Sequence, residues 1–153
     1  MNFYLKPILQ NLQISTSFSV LLICSSISES DKKQIKIINS LENLVVSADE
    51  KMIERCLINL YLNAAYAISE NVEKTIKTEI KTQNNRVILS VEDNGIGIQK
   101  EIQDKIFLPF FTTRSGGSGI GLTLSRSIIE AHKGYLNYKP LEQGSRFEIW
   151  FIN

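Results

Sequence analysis

The sequence predicts an α+β protein: a two-layer α/β sandwich, with a mixed sheet carrying helices on one face. Three observations predict it. TIKTEIKT with RVILSVED, and YLNYK with SRFEIWF, are paired alternating runs that read as two hairpins. Between them lie stretches of helical periodicity with capping residues at their ends. Strands and helices do not alternate strictly, so a doubly wound parallel sheet is not expected.

The elements follow in chain order. Leu5 to Leu12 has a weak helical pattern with Pro7 early in it, and Phe18 to Ile27 is an apolar stretch broken up by serines. QIKIIN and LVVS read as short strands on either side of a Ser-Leu-Glu-Asn turn. Asp49 suits the N-cap of a helix running from Glu50 to about Asn71. Gln83-Asn84-Asn85 joins the first hairpin, and Asp93-Asn94-Gly95-Ile96-Gly97 breaks its second strand. A short amphipathic helix is expected around Lys100–Ile106, ending at Leu108-Pro109. A Gly/Ser/Thr stretch, TTRSGGSG, leads into a helix over 120–132 that Gly134 should stop. The last hairpin turns around Pro140–Gly144.

Composition narrows the chemistry. The 153 residues carry 17 Lys+Arg against 16 Asp+Glu, so nothing in the net charge calls for a polyanionic partner, nucleic acid or anionic membrane. No apolar run approaches the ~20 residues that a spanning helix needs, and no basic segment announces a signal peptide. Two cysteines without a CxxC fit a reduced, cytoplasmic protein rather than a disulfide scaffold. The single histidine, His132, excludes multi-histidine metal sites. Any chemistry must come from Asp, Asn, Gly and a cofactor, or from His132 alone.

Three constellations stand out. Asn59 and Asn63 are one helical turn apart, with Arg55 and Tyr66 beside them, while Ile53, Leu57, Leu60, Ala64 and Ile68 form a separate apolar stripe. The asparagines are either a solvated face or two neutral oxygen ligands for a Mg²⁺ that also holds phosphate. Asp93 ends a strand, followed by Gly95, Gly97 and the apolar Ile98. This is either a simple turn or a carboxylate able to accept from the adenine amino group, at an edge where guanine has a carbonyl. Gly116-Gly117-Ser118-Gly119-Ile120-Gly121-Leu122 opens a helix, as an anion-binding loop or a flexible linker would. It follows no strand and precedes no Lys-Ser/Thr, so neither a dinucleotide fingerprint nor a Walker loop fits.

In this order, NLYLNAAYAI, VEDNGIGI, IFLPFFTT and GGSGIGL resemble the N box, first glycine box, F box and second glycine box of sensor histidine kinases. The resemblance is to their catalytic ATP-binding domain, of the GHKL (Bergerat) superfamily, with a nitrogen-regulator flavour. It implies that superfamily's α/β sandwich and the cofactors ATP and Mg²⁺. Asn63 would be the main metal ligand with Asn59 supporting; Asp93 would recognise adenine in a pocket shaped by Gly95, Gly97 and Ile98. Gly117, Gly119, Ile120, Gly121 and Leu122 would lie at the phosphates under a lid from which Arg114 reaches in, and Ser145 would stand near the adenine.

Phe107, Phe110 and Phe111 would face a helical dimerisation and phosphoacceptor domain, the expected partner, with a response regulator served indirectly. Gyrase- and MutL-type relatives carry a water-activating Glu where this chain has Asn59, so phosphoryl transfer is expected rather than hydrolysis. Two departures are visible. Tyr66 stands where many members have Lys, and no acceptor histidine is present, His132 being expected to act as a cation at a helix end. Residues 1–15 would be the tail of the acceptor domain or a linker, and 16–153 the catalytic domain. An anti-sigma-factor-type serine kinase and a non-catalytic ATP-binding module are the alternatives.

Overall fold

A computed structural model describes residues 7–14, 35–41, 44–68 and 73–152. The expected apolar stretch at 18–27 lies outside them. Five strands form the main sheet in the order β2-β4-β5-β7-β6: β2 (Ile35–Leu41), β4 (Lys74–Gln83), β5 (Arg86–Asp93), β6 (Tyr135–Pro140) and β7 (Ser145–Ile152). The β2/β4 pair is parallel and the other three are antiparallel, so the sheet is mixed as expected. Two strands stand apart as an antiparallel pair, β1 (Gln10–Ile14) with β3 (Leu44–Ala48). The helical pattern read over Leu5–Leu12 is therefore corrected, since residues 10–14 are strand. Pairing with β3 overrides a weak local helical preference.

Helix α1 (Glu50–Ala67) and helix α2 (Gly121–Ala131) pack against each other and against the sheet. The Oδ1 of Asp49 accepts from Met52 N–H at 3.2 Å and caps α1. The apolar stripe is buried throughout, Ile53, Leu57 and Ile68 completely, against Ile76, Leu89, Val91 and Ile149 of the sheet. Each such side chain contributes roughly 1.5–3 kcal/mol on burial. Cys56 and Tyr61 join that core outside the expected stripe, Tyr61 because its hydroxyl meets Thr78 Oγ1 at 3.2 Å.

The β4–β5 turn is tighter than the sequence suggests. Gln83 pairs with Arg86, and Asn84 and Asn85 both take positive φ, the geometry of a two-residue primed turn. The helix expected at Lys100–Ile106 is only a 3₁₀ turn, Lys100–Ile102, followed by further i→i−3 bonds from Lys105 to Ile102 and from Leu108 to Lys105. The helix expected at 120–132 runs from Gly121 to Ala131. Beyond it, Lys133 rather than Gly134 takes the left-handed conformation. A Cβ on Gly134 would overlap the carbonyl of Trp150, so this glycine serves close packing on β7.

Candidate nucleotide site

A cavity of about 250 Å³ opens where the C-terminal half of α1, the end of β5 and the start of α2 converge. Asn59, Asn63 and Tyr66 reach it from α1, Asp93 and Ser145 from the sheet, and Arg114, Gly117 and Gly119 from the loop before α2. Gly97, Ile98, Gly121 and Leu122 complete the set of sequence-predicted lining residues. Residues separated by more than 80 positions thus share one wall. Two predicted residues stand off it. Gly95 is buried behind the wall, and Ile120 caps α2 on the side of a neighbouring groove.

Asp93 is the buried acid of the site, 4% exposed. Its Oδ1 accepts from Gly95 N–H at 2.9 Å, and it lies opposite Ser145 in the β5/β7 register. Burial pushes its carboxyl up to about 6, although backbone hydrogen bonds from Gly95 and Ser145 pull the other way. The turn after it is fastened on two sides. Asn94 Oδ1 accepts from Thr75 N–H and its Nδ2 donates to Glu73 O, while Ile96 N–H donates to Ala67 O at the end of α1. A Cβ on Gly95 would overlap that Ala67 carbonyl, so only glycine lets the turn lie on the helix end. The carboxylate and α1 are thereby held in one rigid frame.

On α1, Asn59 Nδ2 donates to Ser125 Oγ of α2 at 3.1 Å. Its Oδ1 lies against Gly121, where a Cβ would overlap it. Asn63 is one turn further on and half-buried. These amide oxygens, with no carboxylate among them, suit a hard cation whose charge is balanced mainly by phosphate. No cluster of three or more His, Cys, Asp or Glu among the described residues would hold a metal without such help. The donor set therefore fits Mg²⁺ carried with a nucleotide.

The loop before α2 folds back on itself. Phe110 N–H donates to Gly119 O at 2.9 Å and closes the segment into a ring, with Phe110 at φ 63° and Gly119 at φ 66°. Arg114 lies inside the ring's mouth, its guanidinium 4.0 Å from the Tyr66 ring centroid and its Nη2 donating to Asn63 O at 3.3 Å.

The F-box phenylalanines do not share one outward face. Phe110 is 76% exposed, whereas Phe111 packs on the core and lines the cavity, and Phe107 meets Phe147 edge-on beneath Arg126. The sequence reading placed all three outward because it had no register for this irregular segment.

His132 is also corrected. It is buried, its Nε2 accepts from Asp49 N–H at 2.9 Å, and its Nδ1 lies 2.7 Å from Ile128 O. An amide must donate and a carbonyl must accept, so the ring is the neutral Nδ1–H tautomer and not a helix-end cation. Sequence reasoning missed Ser125, Ile96, Ile102, Phe111 and Phe147 around the site. The helical spacing of Gly121 and Ser125, one turn apart, could have pointed to Ser125.

A mixed sheet under two helices, with a glycine-edged cavity beside the first, suits a nucleotide-binding domain. Residues 48–152 match the model of the family described as histidine kinase-, DNA gyrase B- and HSP90-like ATPases, and the chain belongs to that family. Within it, the chain is 41% identical over 107 residues to the sensor histidine kinase ZraS of Salmonella typhimurium, covering 69% of this chain and 23% of that one. It is 41% identical over 110 residues to the signal transduction histidine-protein kinase AtoS of Escherichia coli, covering 71% and 18%. The chain thus spans about a fifth of these kinases. It superimposes on the catalytic domain of histidine kinase ThkA with a TM-score of 0.78 and 32% identity, covering 93% of this chain and 95% of that one. The resemblance to sensor-kinase ATP-binding domains read from the four boxes is borne out, as is the α+β sandwich.

Proposed function

We propose that this chain is the catalytic ATP-binding domain of a two-component sensor histidine kinase. It transfers the γ-phosphoryl of ATP to a histidine on a separate helical dimerisation domain, in the cytoplasm. The observation that carries the reading is Asn59. The amide occupies the position at which hydrolytic relatives hold their general base, and it donates to Ser125 Oγ. An amide cannot take a proton from water, so the bound triphosphate is kept for a nucleophile supplied by a partner.

In this reading Asp93 accepts from the adenine amino group, Ile98 and Phe147 flank the base, and Ser145 stands beside it. Asn63 and Asn59 would hold Mg²⁺, which would neutralise phosphate charge when bound. The glycines at 117, 119 and 121 admit the phosphates to backbone N–H groups at the start of α2. His132 is buried and doubly hydrogen-bonded, which supports an acceptor histidine on another domain. Among the described residues no helix is long and apolar enough to cross a membrane. The hydrogen bonding of β1 to β3 supports counting residues 10–14 with the catalytic domain.

Isothermal titration with a non-hydrolysable ATP analogue and Mg²⁺ tests the first half of this reading. Incubation with labelled ATP and a supplied acceptor domain tests the second. Acid-labile label on the acceptor is expected, and acid-stable label would overturn the histidine assignment.

A further inference from the structure

We propose that Tyr66 is a positioning residue whose ring holds Arg114 at the mouth of the cavity, so that the lid supplies the phosphate-binding cation. This rests on the nucleotide reading above and deepens it.

The observations come from both ends of the contact. Tyr66 is on the last turn of α1 and half of its surface is open, yet its ring is covered by the Arg114 guanidinium at 4.0 Å. The same guanidinium donates from Nη2 to Asn63 O, the carbonyl of a residue on the cavity wall. The backbone of Arg114 is fixed as well. Its N–H donates to Thr112 Oγ1 at 3.0 Å, and its carbonyl accepts from Gly117 N–H at 3.2 Å. A Cβ on Gly117 would crowd Thr112 Oγ1, so this turn also depends on a glycine.

An arginine on a loop ordinarily samples many rotamers, and ordering it costs side-chain entropy. Here that ordering is present before any ligand arrives. One N–H of the guanidinium is engaged by Asn63 O, and the remaining donors are available to phosphate oxygens. The aromatic face stabilises the cation without neutralising it, which a carboxylate would do. Tyr66 therefore gives the site a positive charge through a second residue, at a place where its own side chain carries none.

The test compares wild type with Tyr66→Ala, Tyr66→Phe, Arg114→Ala and the Tyr66→Ala/Arg114→Ala pair. Titrations use Mg²⁺ with a non-hydrolysable ATP analogue, and separately adenosine. Tyr66→Ala and Arg114→Ala should each weaken the triphosphate about tenfold. The double variant should be no weaker than Arg114→Ala, and adenosine affinity should not change. Tyr66→Phe keeps the ring face and should recover the affinity lost in Tyr66→Ala. In the ligand-free protein, the Arg114 Hε resonance should be shifted upfield by the ring in wild type and Tyr66→Phe but not in Tyr66→Ala. Equal losses for adenosine and triphosphate, additive losses in the double variant, or no loss in Tyr66→Ala would each overturn the proposal and leave the nucleotide reading standing. Wild type that binds neither ligand would overturn both.

Discussion

Asn59 on α1 donates to Ser125 Oγ on α2 at 3.1 Å, and this bond turns its Oδ1 onto the backbone of Gly121. One amide therefore ties the two helices together and sets the distance between the asparagine stripe and the glycine loop. Ser125→Ala removes the acceptor and leaves Nδ2 unpaired in a half-buried place. A loss of about 1 kcal/mol in chemical denaturation is expected. Phosphotransfer to a supplied acceptor domain should fall further than that stability loss explains, because the Oδ1 is no longer aimed. Unchanged transfer would remove Ser125 from the site.

Gly121→Ala tests the same junction from the other side. Its Cβ would overlap Asn59 Oδ1, so α1 and α2 must separate or the asparagine must change rotamer. Triphosphate affinity should drop at least tenfold, while thermal stability changes little beyond about 1–3 kcal/mol. Titration of the variant and its melting curve separate the two effects.

Asp93 gives the domain a pH dependence. Its carboxyl titrates near 6 in the ligand-free protein because it is buried. If Asp93 accepts from the adenine amino group as proposed, the ionised form is needed, and affinity should be about tenfold weaker at pH 5 than at pH 7. Stability from this group runs the other way. With a native value raised above the unfolded 3.8, its contribution is fully present below 3.8 and is lost as pH rises through about 6. Asp93→Asn should abolish the acid-range slope and weaken binding at pH 7. Binding undiminished by this variant would refute the adenine role.

His132 joins the end of α2 to the cap of α1, accepting from Asp49 N–H and meeting Ile128 O. His132→Ala leaves a half-buried amide without its acceptor and should cost about 1–2 kcal/mol in urea denaturation. Label transferred from ATP should never appear on this residue. A phosphohistidine found at position 132 by mass spectrometry would contradict its burial.

Leu57 is completely buried in the face of α1 that meets the sheet. Leu57→Ala should destabilise the domain by about 2–5 kcal/mol. Nucleotide should raise the melting temperatures of this variant and of wild type alike, since Leu57 does not line the cavity.

Much of this molecule is legible in the residues. The stripe Ile53–Leu57–Leu60–Ala64–Ile68 and the Asp49 cap are local patterns, and helical geometry alone decides which face the stripe buries. The alternation in RVILSVED marks the strand but not its burial, since Val87 to Val91 are all buried. The motifs at Asn59, Asp93 and Gly117 are likewise short and self-contained, so their order in the chain identifies the family. Short segments are less legible. The pattern after Lys100 suggests an amphipathic helix, yet the chain closes into 3₁₀ turns, and the three F-box phenylalanines beyond it end in three different environments. Leu5–Leu12 carries a weak helical pattern, yet residues 10–14 form a strand because a partner edge on β3 is available.

By itself the sequence determined the two hairpins, the helices α1 and α2, the core face of α1 and the family to which the boxes belong, because each depends on residues within a few turns of one another. Only the tertiary structure decided what those residues touch. It made His132 a neutral hydrogen-bond bridge, gave Asn59 a partner in Ser125, and set Arg114 on Tyr66. Those relationships span from 48 to 83 positions, as 114 minus 66 and 132 minus 49 give. The physical reason is that hydrogen bonds and ring contacts act over a few ångströms of space, and only packing of the two helices on the sheet brings such distant positions within that range.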